Sequence, residues 1–512
     1  MAVQLVWFKR DLRVADHRPL TEAARRGPCI CLYVYEPIVY AGEDFDPSHL
    51  EFINQSLRTL DRALRARGAC LTLRRGEMFE TLDRLWHELP FEAIWAHEET
   101  GNGATYARDE AVRAWARARG VALHEFPQSG VVRRLGNRDG WSRRWHARMT
   151  APQVPTPDRV PVVTLPCGRI HTARMLGLPA NTKTDLQSGG EDAAQETLRS
   201  FLEERGAGYR FGMSSPVTAW EGCSRLSPHL AFGTLSMRQI FQSTLARRAE
   251  IKERQAAGEK FDQPWLASLS AFTSRLRWHC HFMQKLEDEP RIEFENLHRA
   301  ADGLREELWN EEHFHAWANG RTGYPMVDAC MRALLQHGWI NFRMRAMLVS
   351  FASYHLWLHW RRPAIYLARH FLDYEPGIHY SQFQMQSGTT GINTIRIYSP
   401  IKQVHDHDPG GIFIRRYVPE LAGVPDAHLA EPHRMGIAAQ HAAGCIIGRD
   451  YPAPIVDHAE AYALAQQRMR ALRRSVDARS ESKKILEKHG SRKRPGTATR
   501  PARRARQQDP ED

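Results

Sequence analysis

Cysteine is scarce here: eight in 512 residues, with no Cys-x-x-Cys pair. Cys29, Cys31, Cys70, Cys167, Cys223, Cys280, Cys330 and Cys445 sit mostly in apolar surroundings. This argues against a disulfide framework or a zinc site and leads us to expect buried thiols in a reducing cytoplasm. Nothing in the spacing favours an iron–sulfur cluster. No apolar run is long enough to span a bilayer, and residues 1–12 read as a strand ending in charge, without a secretory pattern. The expected location is cytoplasmic, with no membrane contact and a monomeric state. Gly101-Asn102-Gly103 lacks the third glycine of a dinucleotide fingerprint. His279, His281, His405 and His407 do not fall at closed-site spacing, so no metal is expected.

What the chain does have is aromatic bulk and an uneven positive charge. It carries 14 tryptophans and a net charge of +12. Residues 468–512 hold 15 Lys/Arg against 6 Asp/Glu, so about nine of those twelve charges lie in the tail. Such a tail attracts polyanions without reading sequence. Arg492, Lys493 and Arg494 are candidate DNA contacts within it.

Short apolar runs at 4–8, 29–35, 69–73, 91–96 and 121–126 alternate with helical periodicity at 49–67 and 76–88. The alternation predicts an α/β domain with a doubly wound parallel sheet over residues 1–135. Residues 136–192, with the proline-rich stretch 151–161, read as an extended connector. Long helical patterns follow at 194–205, 236–252, 264–286, 326–335, 343–357 and 363–372. They predict a larger, mainly helical domain over 193–474 that can house a cofactor between helices. Residues 475–512 read as a basic, disordered tail.

The helical region also carries polar segments that an inert bundle does not need. Ser224 and Ser227 are credible helix caps, and free backbone N–H groups beside Arg225 suit a phosphate. Arg343 and Arg345 lie in an apolar helix and call for carboxylate partners; Asp373 and Glu375 are the candidates. Trp309, Trp317, Trp339, Trp357 and Trp360 cluster in the same region, where indoles can pack or relay an electron.

Five ordered motifs together resemble the photolyase/cryptochrome family over about residues 2–470. They are 6–16 (VWFKRDLRVAD), 224–233 (SRLSPHLAFG), 317–329 (WANGRTGYPMVDA), 414–421 (IRRYVPEL) and 448–457 (GRDYPAPIVD). The resemblance implies an α/β domain able to carry a second, antenna chromophore of undetermined identity, and a helical domain holding folded FAD. It implies that Tyr209, Ser224, Leu226 and Ser227 surround the FAD phosphates and ribityl chain. Arg345 then pairs with Asp373 near the isoalloxazine, and Glu375 lies by its N3/O2 side or the ribose. Trp278 looks like the lesion-stacking tryptophan, and Arg396 like a residue at the DNA-facing mouth. The implied activity is light-driven repair of UV-induced pyrimidine dimers or (6-4) photoproducts, by electron transfer from excited reduced FAD to a flipped lesion. The alternative is a cryptochrome-like blue-light photoreceptor with a signalling partner.

The chain departs from the family pattern at several positions. Arg275 stands where cyclobutane-dimer enzymes place a glutamate, and Phe342 and Ala346 fall near their asparagine and methionine. Met385 replaces a second stacking tryptophan, and Phe383 the flavin-proximal relay tryptophan. His379 or Tyr380 falls where many members have an asparagine near flavin N5. Trp360 matches the middle relay position, and Trp309 the outer one after a two-residue spacing change. Tyr380 or Trp357 is the candidate substitute for the missing first relay, and His379 the candidate acid for a (6-4) lesion.

Overall fold

In a computed structural model, residues 2–261, 263–474 and 476–490 are described. Five short strands, Gln4–Phe8 (β1), Cys29–Tyr35 (β2), Leu71–Arg75 (β3), Ala93–His97 (β4) and Ala122–Phe126 (β5), pair in parallel in the order β3-β2-β1-β4-β5. β1, β2 and β4 are buried along their whole length. Their apolar runs are continuous because helices cover both faces. Val6 and Phe8 join the core on one side, and Leu5 and Trp7 the core on the other. The covering helices are Arg18–Arg26 (α1), Pro47–Arg65 (α2), Met78–Glu88 (α3) and Gly103–Arg119 (α4). α2 begins where Asp46 and His49 form a capping box with Pro47 in the first turn. Leu50, Ile53, Leu57, Leu60 and Leu64 then line its buried face.

Strand order reverses at β1, and the segment after β1 enters the joint between the sheet and the helical domain. Arg10 Nε donates to the Ala231 carbonyl at 2.7 Å, and its Nη2 reaches Tyr374 O at 2.9 Å and Glu375 Oε2 at 3.1 Å. Arg13, almost fully buried, donates to Gly233 O at 2.8 Å. Ser236 Oγ donates to Asp16 at 2.6 Å. Asp11 sits between His17 and His97 at 2.9 and 2.7 Å; despite burial, the two rings hold its carboxyl well below the usual range.

The helical domain packs around Met237–Ala256 (α5), Trp265–Asp288 (α6), Pro325–His337 (α7), Phe342–Ser350 (α8), Arg361–His370 (α9) and Pro376–Ser387 (α10). His458–Arg474 (α11) and Val476–His489 (α12) close the described chain. α6 spans about 36 Å at 1.5 Å per residue and lies against α10. No helix among the described residues is long and apolar enough to cross a membrane.

Several expectations change. Cys70 and Cys167 are joined by a disulfide with Cα atoms 6.2 Å apart, which corrects the reading of all eight cysteines as free thiols. The partners are 97 residues apart, and the connector brings them together by running along the sheet edge, where Leu73 N donates to Cys167 O. No local spacing motif can reveal such a pair. The other six cysteines are free. Helix α12 replaces part of the stretch expected to be disordered, because Ile485 has a buried apolar niche with Leu286, Ile292 and Leu297. Residues 491–512, including Arg492, Lys493 and Arg494, lie outside the described residues. The helices expected at 194–205 and 343–357 end instead in wide π turns at Phe201–Arg205 and Phe351–His355.

Gly233 sits at φ +64°, and a Cβ there would overlap the Arg10 carbonyl and the Asp11 backbone. Gly233→Ala is expected to destabilise the fold by more than about 2 kcal/mol. Equilibrium urea unfolding, followed by far-UV circular dichroism, checks this.

Candidate functional site

Asp373 is the point on which the candidate cofactor residues converge. It lies between α9 and α10, and Arg345 of α8 grips it with both nitrogens, Nη1–Oδ1 at 2.9 Å and Nη2–Oδ2 at 2.8 Å. Burial works against its ionisation, yet the Arg345 charge and hydrogen bonds from Arg345 and Ser227 hold its carboxyl below the usual value. Ser227 opens the turn of Ser227–Ala231, directly after Arg225 and the buried Leu226. Arg225 has a left-handed backbone, φ +58°, which aims its guanidinium between Trp220 and Trp339, 3.9 and 4.1 Å from their ring centroids. Its Nε and Nη1 are buried without a partner. Ser224 Oγ accepts from Leu226 N at 3.4 Å, and Arg205 holds the Ser224 carbonyl at 2.6 Å.

Glu375 lies two residues on. Its Oε2 meets Arg10 at 3.1 Å, while Oε1 is buried and unpartnered. Burial, with repulsion from Glu99, pushes its carboxyl up to about 7 against the pull of Arg10. His279, with Nδ1 buried and unpartnered, lines the same small recess as Arg10 and Glu375. Arg10 and His279 were not among the predicted site residues. The signal for Arg10 was present: a charged run directly after a buried parallel strand stands where α/β sheets place ligands.

A second feature is an open, positively charged face on α6. Trp278 is 39% exposed, with its ring 5.2 and 5.6 Å from those of His281 and Phe282. Arg275 and Arg277 flank it, exposed, and Arg396 is exposed on the loop after α10. Among the described residues none of these three arginines has a carboxylate within ion-pair distance. Arg275 lies within electrostatic reach of Tyr209, whose ring is buried against Phe201 and Phe272. Phe342 is 52% exposed, Ala346 is buried and Met385 half-buried.

The aromatic side chains separate into different environments. Trp360 is fully buried, donates to Asn296 Oδ1 at 2.8 Å and lies 6.4 Å from the Tyr380 ring. Trp309 is half-buried and donates to Glu311 at 2.7 Å. Trp357 lies between two guanidiniums, Arg305 at 4.5 Å and Arg468 at 4.6 Å. Two cations over an indole oppose a positive charge on it. His379 is buried among Tyr374, Tyr380 and Phe383, and its Nε2 donates to Ala364 O at 2.8 Å. Burial lowers its pKa to about 4, leaving a neutral ring near neutrality.

Residues 4–136 match the DNA photolyase family, and residues 272–471 match the FAD binding domain of DNA photolyase. A deoxyribodipyrimidine photo-lyase from Streptomyces griseus is 32% identical over 489 residues, covering 90% of this chain and 98% of that protein. The chain belongs to the photolyase/cryptochrome flavoprotein superfamily. A cryptochrome DASH from Gloeobacter violaceus is 28% identical, covering 88% of this chain and 93% of its own length. The crystal structure of a bacterial class III photolyase from Agrobacterium tumefaciens superposes with a TM-score of 0.80 at 26% identity, covering 93% of this chain and 98% of that one.

The residues present fit the flavin that defines this superfamily. The free Oε1 of Glu375 can accept from a ring or ribose donor, and the Arg345–Asp373 pair offers both a cation and acceptors at one edge. The free Arg225 nitrogens suit a diphosphate beside the Ser224–Ser227 turn. A separate cavity of about 300 Å³ opens at the C-terminal ends of the strands. Lys9, Tyr40, Glu99, Arg108, Tyr374 and Tyr380 are among its lining residues.

The raised carboxyl of Glu375 has a consequence for stability. Its folded pKa, about 7, exceeds the ordinary 4.5, so the folded state binds the extra proton between these values. Stability from this group therefore falls as pH rises from about 4.5 through 7. Glu375→Gln is expected to flatten this slope by about 1–3 kcal/mol, read from urea unfolding at about pH 5 and pH 8.

Proposed function

We propose that this flavoprotein repairs UV-induced pyrimidine lesions in DNA with light, acting on a cyclobutane dimer or a (6-4) photoproduct. The observation that carries the reading is the exposed Trp278 flanked by Arg275 and Arg277, without carboxylate partners among the described residues. These arginines face solvent beside a flat aromatic ring. That pairing suits a strand whose phosphates are held while an extruded base stacks.

FAD, when bound, supplies the light-excited electron donor. Arg345, Asp373 and Glu375, together with the Arg225–Ser227 turn, would hold it. Buried carboxylate and guanidinium fix its orientation, and the surrounding core excludes water. Trp360 and Tyr380 form the inner part of a candidate electron route from the surface, with Trp309 at its outer end. The 300 Å³ cavity is the candidate seat of an antenna chromophore. It lies at the strand ends, where α/β sheets take ligands, and Tyr374 and Tyr380 join it to the helical domain.

A photoreceptor reading draws on Phe383 at the first relay position and Arg275 in place of the acidic lesion contact. One experiment separates the two. The protein, its flavin reduced, is illuminated with DNA bearing either lesion, and restored pyrimidines are quantified by chromatography against dark controls. Light-dependent restoration of one lesion is expected. Restoration of neither, with flavin bound and reduced throughout, overturns repair and leaves the photoreceptor reading. Trp278→Ala is expected to weaken lesion-bearing DNA relative to undamaged DNA by about tenfold in a competition binding assay, since stacking contributes about 1–3 kcal/mol per base.

A further inference from the structure

Arg10 leaves β1 in the sheet domain and ends between two segments of the candidate cofactor site. Its Nε donates to the Ala231 carbonyl at 2.7 Å, at the close of the turn that Ser227 opens. Its Nη2 donates to Tyr374 O at 2.9 Å and to Glu375 Oε2 at 3.1 Å. One planar guanidinium thus joins the Ser227–Ala231 turn to the segment that carries Asp373 and Glu375. Arg10 is itself held in place, because Gln128 Nε2 donates to its carbonyl at 2.7 Å and the Gly233 backbone crosses close beside it.

Glu375 stands at the start of α10, and its two oxygens have different surroundings. Oε2 takes Arg10, whereas Oε1 is buried and has no partner. The backbone N–H of Gly377 also acts on the carboxyl. The other titratable groups facing it are Glu99 beyond β4, and His279 and Cys280 of α6. Leu230, Leu235, Met237 and Met283 bring no charge to the recess. Burial and Glu99 push the carboxyl up to about 7, and Arg10 pulls against them. A carboxylate pinned through one oxygen presents the other in a fixed direction. A proton arriving there falls on Oε1, since the guanidinium occupies Oε2, and turns a free acceptor into a donor.

We propose that Arg10 is a positioning residue for the flavin: from the sheet domain it orients Glu375 and keeps Oε1 a bare acceptor for a donor group of the cofactor. The inference rests on the flavin reading above and makes retention of the cofactor depend on the joint between the two domains.

Release of FAD from the purified holoprotein tests it. The protein is diluted into buffers spanning about pH 5 to 9, and the fluorescence of free FAD gives the release rate in each. The natural chain is expected to release FAD faster as pH falls through the titration of Glu375, and Glu375→Gln to lose that acceleration. Arg10→Gln, checked for a native circular dichroism spectrum, should release FAD about tenfold faster near neutrality. It should also move the acceleration up by about one to three pH units, the effect of losing an opposite charge at this distance. Arg10→Lys keeps the charge and should keep the profile within about one unit of the natural one. Added to Glu375→Gln, Arg10→Gln should change little, whereas a merely structural role speeds release equally in both backgrounds. That equal effect overturns the proposal, and so does a pH profile that Arg10→Gln leaves in place. Where Arg10→Gln does not fold, Arg10→Lys and Glu375→Gln carry the test, and a profile that Glu375→Gln leaves unchanged overturns the proposal. A full chain that neither carries FAD on purification nor takes it up fails the flavin reading itself. FAD held with a profile indifferent to both residues fails only the role of Arg10.

Discussion

Arg10 and its neighbours set the condition under which the two halves of this protein can be joined. A charged segment, Lys9 to Asp16, leaves the buried end of β1 and is taken out of water between the sheet and the helical domain. Such burial is tolerated only when each charge finds partners. Arg10 finds Ala231, Tyr374 and Glu375, Arg13 finds Gly233, and Asp16 finds Ser236. All these partners lie in the helical domain, so satisfying the segment fixes the domains against each other. Gly233 follows from the same condition, because no side chain fits where the Arg10 backbone crosses it.

The carboxylate that ends this chain of contacts is also a candidate cofactor residue. Glu375 gives one oxygen to Arg10 and keeps the other unpartnered in the site. Domain joining and the candidate cofactor site thereby share one side chain. Asp373 is arranged differently, with Arg345 and Ser227 satisfying it fully enough to keep it ionised. The two acids, two residues apart, are pushed in opposite directions because a bidentate arginine outweighs burial at Asp373, while at Glu375 burial and the nearby Glu99 outweigh Arg10.

Other family motifs do structural work at a distance from the chemistry. Asp328 accepts from Thr322 N, Thr322 Oγ1 and Gly323 N at 2.8, 2.7 and 3.1 Å, and from Tyr451 OH at 2.5 Å. This ties the 317–329 and 448–457 motifs together. Arg332 reaches back to Gly320 and across to Glu420, binding the 414–421 motif to the same helix. The exposed arginines around Trp278 are left out of such pairings. Charge that the fold has not neutralised internally is available to a polyanion.

Much of this was legible in the chain itself. The strands from β1 to β5 are continuous apolar runs whose burial on both faces leaves only a covered parallel sheet, and an arginine amid Met and Leu demanded a carboxylate that proved to be Asp373. The motif residues Arg225 and Ser227 were recognisable because their types and order suffice for recognition. The structure decided what depends on approach across long separations: the Cys70–Cys167 bond, the reach of Arg10 to Glu375, the docking of α12 on Leu286. It also decided environment. Trp357 and Trp360 are both indoles in print, but one lies between two guanidiniums and the other beside Tyr380, and burial lowers the pKa of His379 against the pull of the Ala364 carbonyl. Residue type and periodicity set local conformation through backbone and packing preferences, whereas a side chain's charge state and partners arise only when distant segments displace water around it.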